Sequence, residues 1–131
     1  MVVWGFGFGG NVWHDDELRE IRRAAGKQLA EQKEQKRKEG KEQEAKSVQK
    51  HYEVPTGGLF RWILYPHYLC EWIEWTGFWM IGGLGCVPAR TFLVNEIATM
   101  LPRALAGRRW YVERFGAGRI AGRKAVMPGL L

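Results

Sequence analysis

The chain has 131 residues, 20 Lys/Arg against 14 Asp/Glu, and a mean hydropathy of −0.32, values that averaged over the whole describe one small, basic, soluble domain. Two cysteines, Cys70 and Cys86, both in apolar surroundings, exclude a disulfide framework and a cysteine-based metal site. The average misleads, because residues 14–53 carry 11 Lys/Arg and 10 Asp/Glu while residues 54–131 carry 9 and 4, so a hydrophilic middle hides an apolar second half.

The opening residues, MVVWGFGFGGNVW, are too few for a membrane span, since 13 helical residues cover only about 20 Å at about 1.5 Å each. They lack the basic region and small-residue cleavage site of a secretory leader. Gly5, Gly7 and Gly10 match G-x-G-x-x-G, but a dinucleotide fingerprint follows a strand and opens a helix inside a βαβ unit, and only four residues precede Gly5. Flexible or helix-packing glycines are expected instead, and no Rossmann domain.

Residues 24–50, AAGKQLAEQKEQKRKEGKEQEAKSVQK, are almost wholly Lys, Glu, Gln and Ala without an apolar stripe. Such a segment forms a solvated helix held by Glu/Lys neighbours or stays disordered for want of anything to bury. Its charges nearly cancel and no aromatics interleave them, so no nucleic-acid role is expected. It divides the chain into a first block at 1–23, a charged linker at 24–50 and a C-terminal block at 51–131.

That last block opens with residues 52–75, YEVPTGGLFRWILYPHYLCEWIEW. Behind a turn built on Pro55, Gly57 and Gly58 it sets His67, Glu71 and Glu74 at i, i+4 and i+7, one side of a helix, among Trp, Tyr, Leu and Ile. Two candidate spans follow from the need for about 20 mostly apolar residues. The first, 58–84, carries Arg61, Glu71 and Glu74; the second, 88–106, starts with a proline where a helix tolerates one and is interrupted by Pro102. A Gly-rich turn at 82–87 joins them as a hairpin. Cationic flanks, Arg19, Arg22 and Arg23 before it and Arg108, Arg109, Arg114, Arg119, Arg123 and Lys124 after it, place both ends in the cytosol and the turn in the lumen.

Carboxylates on a membrane helix face a bundle interior or a water-filled site. For His67, Glu71 and Glu74 three readings stay open at this point. A di-iron-like site needs further ligands from partner helices, and Glu96 is the one remaining candidate; a polar network inside a bundle is the second; a ligand site, with Glu71 accepting from an amide or ribose hydroxyl and His67 donating, is the third. The third fits best, and no metal is expected.

Four ordered blocks resemble the C-terminal domain of the steroid 5α-reductase family. Asn11-Val-Trp-His-Asp15-Asp-Glu-Leu18-Arg19-Glu-Ile-Arg22 is similar to its N-x-x-x-D-x-x-L-R-x-x-R block. Tyr52-Glu-Val-Pro55-Thr-Gly57-Gly58-Leu59-Phe60 resembles the steroid-type turn, and Leu101-Pro-Arg103-Ala, Trp110-Tyr111, Phe115 and Arg123-Lys124-Ala125-Val-Met-Pro128 resemble the closing motifs.

The resemblance implies an all-α integral membrane hairpin with a charged cytosolic loop, the C-terminal part of a larger helical bundle in the endoplasmic reticulum membrane, with the opening residues as the cytosolic end of a preceding helix. It implies an NADPH-dependent reductase of the carbon–carbon double bond of a 3-oxo-Δ4 steroid or related lipid, with cofactor contacts at Asn11, Asp15, Arg22, Tyr52, His67, Glu71, Arg103 and Tyr111. Many members carry Asn where His67 stands, and Gly107 replaces a His of animal members, removing one cofactor contact. The Tyr and Glu that polarise the substrate enone in the family belong to N-terminal helices, so no catalytic residue is expected within these 131 residues, which read as a fragment. Two alternatives are an isoprenylcysteine-type methyltransferase using S-adenosylmethionine, for which Pro66-His-Tyr68 is the matching segment, and a non-catalytic membrane remnant.

Overall fold

The computed structural model describes residues 1–39, 54–120 and 122–130. Along the chain lie α1 (Val2–Lys38), a 3₁₀ turn (Gly58–Arg61), α2 (Pro66–Gly82), α3 (Val87–Phe115) and the short α4 (Ala117–Ile120). The all-α expectation holds for the described residues, whose one extended pairing is an isolated parallel bridge between Ile63 and Lys124.

Contacts divide the chain into two units, Met1–Asp15 with Thr56–Leu131, and Asp16–Pro55. In the second, α1 continues through the charged segment to Lys38, supported by exposed pairs such as Lys38 with Glu34 at 3.1 Å, an i,i+4 spacing. Exposed pairs of this kind contribute little each, and the described part of the linker is therefore the solvated-helix alternative. Positions 40–50 of the linker lie outside the described residues.

In the first unit the helices begin and end differently from the expected spans. Helix α2 does not start at residue 58. Gly58 takes φ +48 and opens the 3₁₀ turn instead, and Pro66, with its fixed φ, begins the α-helix. The 17 residues of α2 cover about 26 Å, short of a hydrocarbon core of about 30 Å. Helix α3 starts in the Pro88 turn as expected but runs 29 residues, through Pro102 and past 106, until Gly116 at φ +84 ends it. Pro102, which costs the helix one backbone hydrogen bond, lies inside α3 and does not end it. Among the described residues no helix is long and apolar enough to cross a membrane.

The hairpin turn is where the sequence puts it: Gly83 at φ +85 follows α2, and the Cys86 N–H closes the turn on the Gly83 carbonyl at 2.9 Å. Helices α2 and α3 then pack through Trp72, Leu93 and Ala104, and Trp75 stacks at a tilt on Phe92 with centroids 4.1 Å apart. Ala125 and Val126 complete this cluster because the closing segment returns to the entrance of α2. There the Leu64 and Tyr65 N–H groups donate to the Lys124 and Ala125 carbonyls at 2.9 Å, and the Lys124 N–H to that of Trp62 at 3.0 Å. Phe60, Ile63, Pro66, Ile120 and Val126 are wholly buried beneath these bonds.

A Cβ on Gly58 would overlap the Trp13 ring, and its positive φ costs a branched residue about 1–2 kcal/mol on its own. Gly58→Val is therefore expected to destabilise the fold by about 2–4 kcal/mol once overpacking is added, read as a lower melting temperature and a lower folded yield. Gly26→Ala, with nothing within 4 Å of the added carbon, should be neutral or slightly stabilising. Equal melting temperatures for Gly58→Val and wild type would remove the constraint assigned to the turn.

Candidate functional site

Four sides of α2 do four different things, as the period of about 3.6 residues requires. Cys70, Glu74 and Gly77 make the side against α1: a Cβ at Gly7 would overlap the Glu74 backbone, one at Gly77 the Trp4 backbone, and one at Gly10 would press on Cys70 Sγ. Tyr68, Trp72, Trp75 and Trp79 make the side against α3 and the closing segment. Ile73 and Met80 are exposed. His67 and Glu71 lie on the remaining flank, between the side that meets α1 and the side that meets α3.

Helix α1 is locked onto this arrangement by His14, which is 4% exposed. Its Nδ1 lies 2.6 Å from the Gly10 carbonyl, and its Nε2 accepts the Leu59 N–H at 3.3 Å. A carbonyl only accepts, so the neutral ring with its proton on Nδ1 satisfies both partners. Trp13 and Phe60 enclose the ring edge-on, at centroid distances of 4.7 and 5.5 Å. His14 was not among the expected site residues, although its position four residues after Gly10 sets it on the glycine side of α1.

The second cluster centres on Tyr65, just ahead of α2 and outside its helical part. Its ring stacks on Tyr68 at 5.3 Å and lies 5.9 Å from His67 and 6.5 Å from Tyr111, which stacks in turn on Phe115 at 5.8 Å. Burial first, then the neighbouring Tyr111 and Tyr68 phenols, push the Tyr65 hydroxyl up to about 12, so at neutral pH it remains a hydrogen-bond donor. The hydroxyl sits against the backbone of α3 at Gly107, where any Cβ would collide with it. Gly107 is thus more than a lost side chain: the space that a larger residue would fill is filled by Tyr65.

The expected cofactor residues are distributed unequally. His67 and Glu71 share one flank of α2, and Tyr111 joins His67 through Tyr65. Asn11 and Asp15 are half-buried on the part of α1 that belongs to the same unit. Arg103 is exposed on α3, eight residues before Tyr111. Arg22 is exposed on α1 in the other unit, and Tyr52 lies outside the described residues. Among the described residues no group of three His, Cys, Asp or Glu side chains is placed to hold a metal ion.

A model of the 3-oxo-5-alpha-steroid 4-dehydrogenase family matches residues 1–131. The chain belongs to that family. Among its relatives, protein C9.08c of Schizosaccharomyces pombe, uncharacterized, is 36% identical over the whole chain and 43% of its own length. Steroid 5-alpha-reductase DET2 of Solanum lycopersicum is 30% identical over 99% of the chain and 40% of the relative. 3-oxo-5-alpha-steroid 4-dehydrogenase 1 of Rattus norvegicus is 34% identical over 49% of the chain and 24% of the relative. The chain spans about two-fifths of the length of the first two relatives. Relatives so named are oxidoreductases acting on CH–CH groups.

The Tyr65–Gly107 contact sets the family member's packing at this site and is testable by a double-mutant cycle. Gly107→Ala alone should cost about 1–3 kcal/mol through overpacking. In a Tyr65→Phe background the same change should be neutral or stabilising, as Gly→Ala in a helix is, giving a coupling of about 1 kcal/mol or more. Additive shifts in melting temperature would show that the hydroxyl is not seated on Gly107.

Proposed function

We propose that the chain supplies the cofactor-binding part of an NADPH-dependent reductase acting on the carbon–carbon double bond of a 3-oxo-Δ4 steroid or a related lipid in the endoplasmic reticulum membrane. The observation that carries this reading is the flank of α2. It holds an imidazole, His67, beside the Tyr65–Tyr111 cluster, and one turn further on a carboxylate, Glu71, which is hydrogen-bonded to Trp75 and lies near Glu96 of α3. The residues fit a dinucleotide in kind: Glu71 accepts from an amide or ribose hydroxyl, His67 and Tyr111 donate, Asn11 and Asp15 offer further polar contacts, and Arg103 brings the permanent forked charge that phosphates favour. The preference for NADPH over NADH rests on the family, as no residue singles out a 2′-phosphate.

Bound there, NADPH supplies the hydride, and the protein's part is to bind, orient and exclude water. Glu71 and His67 fix the orientation of the polar ring substituent, while the aromatic rings around Tyr65 keep that end dry. Substrate activation is assigned to polypeptide beyond the part of the relatives that these residues match. The match to the steroid dehydrogenase family model along the whole chain argues against the isoprenylcysteine-type methyltransferase.

Support for a membrane setting comes from the hairpin turn, where Phe78, Met80, Ile81, Leu84, Val87, Phe92 and Val94 are all exposed. Apolar surface clustered in this way is costly in water. With both basic flanks in the cytosol, a glycosylation acceptor inserted between Gly82 and Gly85 should be modified in microsomes and one near residue 40 should not. The opposite pattern would remove the hairpin topology.

The cofactor role is tested by Glu71→Gln in the full-length protein. The change keeps the shape of the side chain and loses a charge-assisted hydrogen bond, which typically contributes about 1.5–3 kcal/mol. NADPH affinity should fall about ten-fold or more, at about 1.4 kcal/mol per decade, with folded yield little changed. Glu74, whose backbone lies under Gly7, should matter less to the cofactor and more to helix packing. Equal NADPH affinity in wild type and Glu71→Gln would overturn the assignment.

A further inference from the structure

The Tyr65 hydroxyl stands where a side chain on α3 would begin. A Cβ on Gly107 would overlap that oxygen and press on the ring carbon that carries it, so α3 admits the phenol only by keeping a glycine in its interior. Glycine there is unfavourable for the helix relative to alanine. The oxygen recovers nothing from the contact, since the Gly107 Cα is no acceptor and, among the described residues, no group accepts the Tyr65 proton. A phenylalanine at 65 would keep the stacking on Tyr68 and the approach to Tyr111 without a half-buried polar group that lacks a partner in the fold. From this placement we propose that Tyr65 is a further cofactor-binding residue, its hydroxyl donating a hydrogen bond to an oxygen of the dinucleotide.

The surroundings of the phenol fit that ligand. Its ring lies 5.9 Å from His67 on α2 and 6.5 Å from Tyr111 on α3, both assigned to the cofactor above, so a molecule that touches the two comes within reach of the group between them. Arg108 follows Gly107 in α3, and its Nε donates to the Arg123 carbonyl at 2.9 Å, next in the chain to the residue whose carbonyl takes the Leu64 N–H. A fixed positive charge held there favours an anionic ligand, rich in acceptor oxygens.

Access separates Tyr65 from the other donor that lacks a partner. Trp72 Nε1 is buried inside the cluster between α2 and α3, where no ligand meets it. The phenol oxygen is only partly enclosed, at the entrance of α2. Burial also keeps its proton in place at neutral pH, so the site presents a neutral donor and not a phenolate that would repel phosphate.

This inference rests on the reductase reading, and its test keeps the two apart. NADPH affinity is measured by equilibrium binding to the purified full-length protein in detergent, and the melting temperature of each sample is recorded without nucleotide. Tyr65→Phe keeps the ring and removes the oxygen alone. It should weaken NADPH binding about three- to ten-fold, the range of one neutral hydrogen bond, while the nucleotide-free melting temperature stays level or rises. Tyr65→Leu empties the seat and should weaken binding at least as much; Y65L/G107S, which returns a hydroxyl to the vacated place from α3, should recover part of the loss. A packing role predicts otherwise, with Tyr65→Phe binding as wild type and Y65L/G107S no tighter than Y65L. Either of those results would overturn the inference and leave the reductase reading standing. No NADPH binding by the wild type would remove that reading and this inference with it. Should Y65L fail to fold, Tyr65→Phe decides alone.

Discussion

The contact on which the rest of the first unit depends is the backbone-to-backbone approach of α1 and α2. It is reciprocal: α1 offers Gly7 where the α2 backbone passes at Glu74, and α2 offers Gly77 where the α1 backbone passes at Trp4. Helices approach this closely only where a side chain is absent, and in an apolar medium such packing replaces the hydrophobic effect as the source of association. The glycines cost each helix about 1 kcal/mol of intrinsic stability. What they gain is position, because the same approach carries His14 to Leu59 and brings the half-buried Asn11 into the unit that holds His67 and Glu71.

The 57–65 segment is then gripped from two directions. His14 takes the Leu59 N–H from one side, and the closing segment takes the Leu64 and Tyr65 N–H groups from the other. Held between them, Tyr65 reaches across to Gly107 of α3. Two motifs far apart in sequence, the Gly-Gly-Leu-Phe turn and the Arg-Lys-Ala-Val-Met-Pro close, are thus one structural unit. A glycine in α3 that reads as a missing contact is the seat of this unit.

Much of this was legible beforehand for identifiable reasons. Pro55, Gly57 and Gly58 announced a turn, and Pro88 announced the start of α3 because a proline is tolerated in a first helical turn. The all-α class followed from the family resemblance, with two candidate helical spans in agreement. What failed was length. A run of apolar residues from 58 looks continuous, but periodicity does not register that Gly58 turns the chain into a 3₁₀ segment before Pro66 restarts it. Pro102 was read as a kink inside the second span, and α3 does continue through it; what periodicity missed there is that the helix runs on past residue 106 to Phe115. His14 and Tyr65 were missed because each owes its role to a partner more than 40 residues away, Leu59 for one and Gly107 for the other; the spacing of His14 from Gly10 marks its side of α1 but not that partner.

The placement of Glu71 follows from what the other sides of α2 already hold. The side against α1 is close-packed, with the Glu74 backbone under Gly7 and Cys70 Sγ against Gly10, and has no room for a further carboxylate. The side against α3 is filled with Trp72, Trp75 and Trp79, where an unpaired charge would cost several kcal/mol. The side with Ile73 and Met80 is exposed and apolar, the direction least able to solvate an ion if it meets lipid. One flank remains, and it is the one that also carries His67 and leads to Tyr65 and Tyr111. A carboxylate retained there, at a position where Leu or Ile would pack without penalty, is explained by a polar ligand more readily than by stability, since buried charges seldom improve on a hydrophobic residue of the same size.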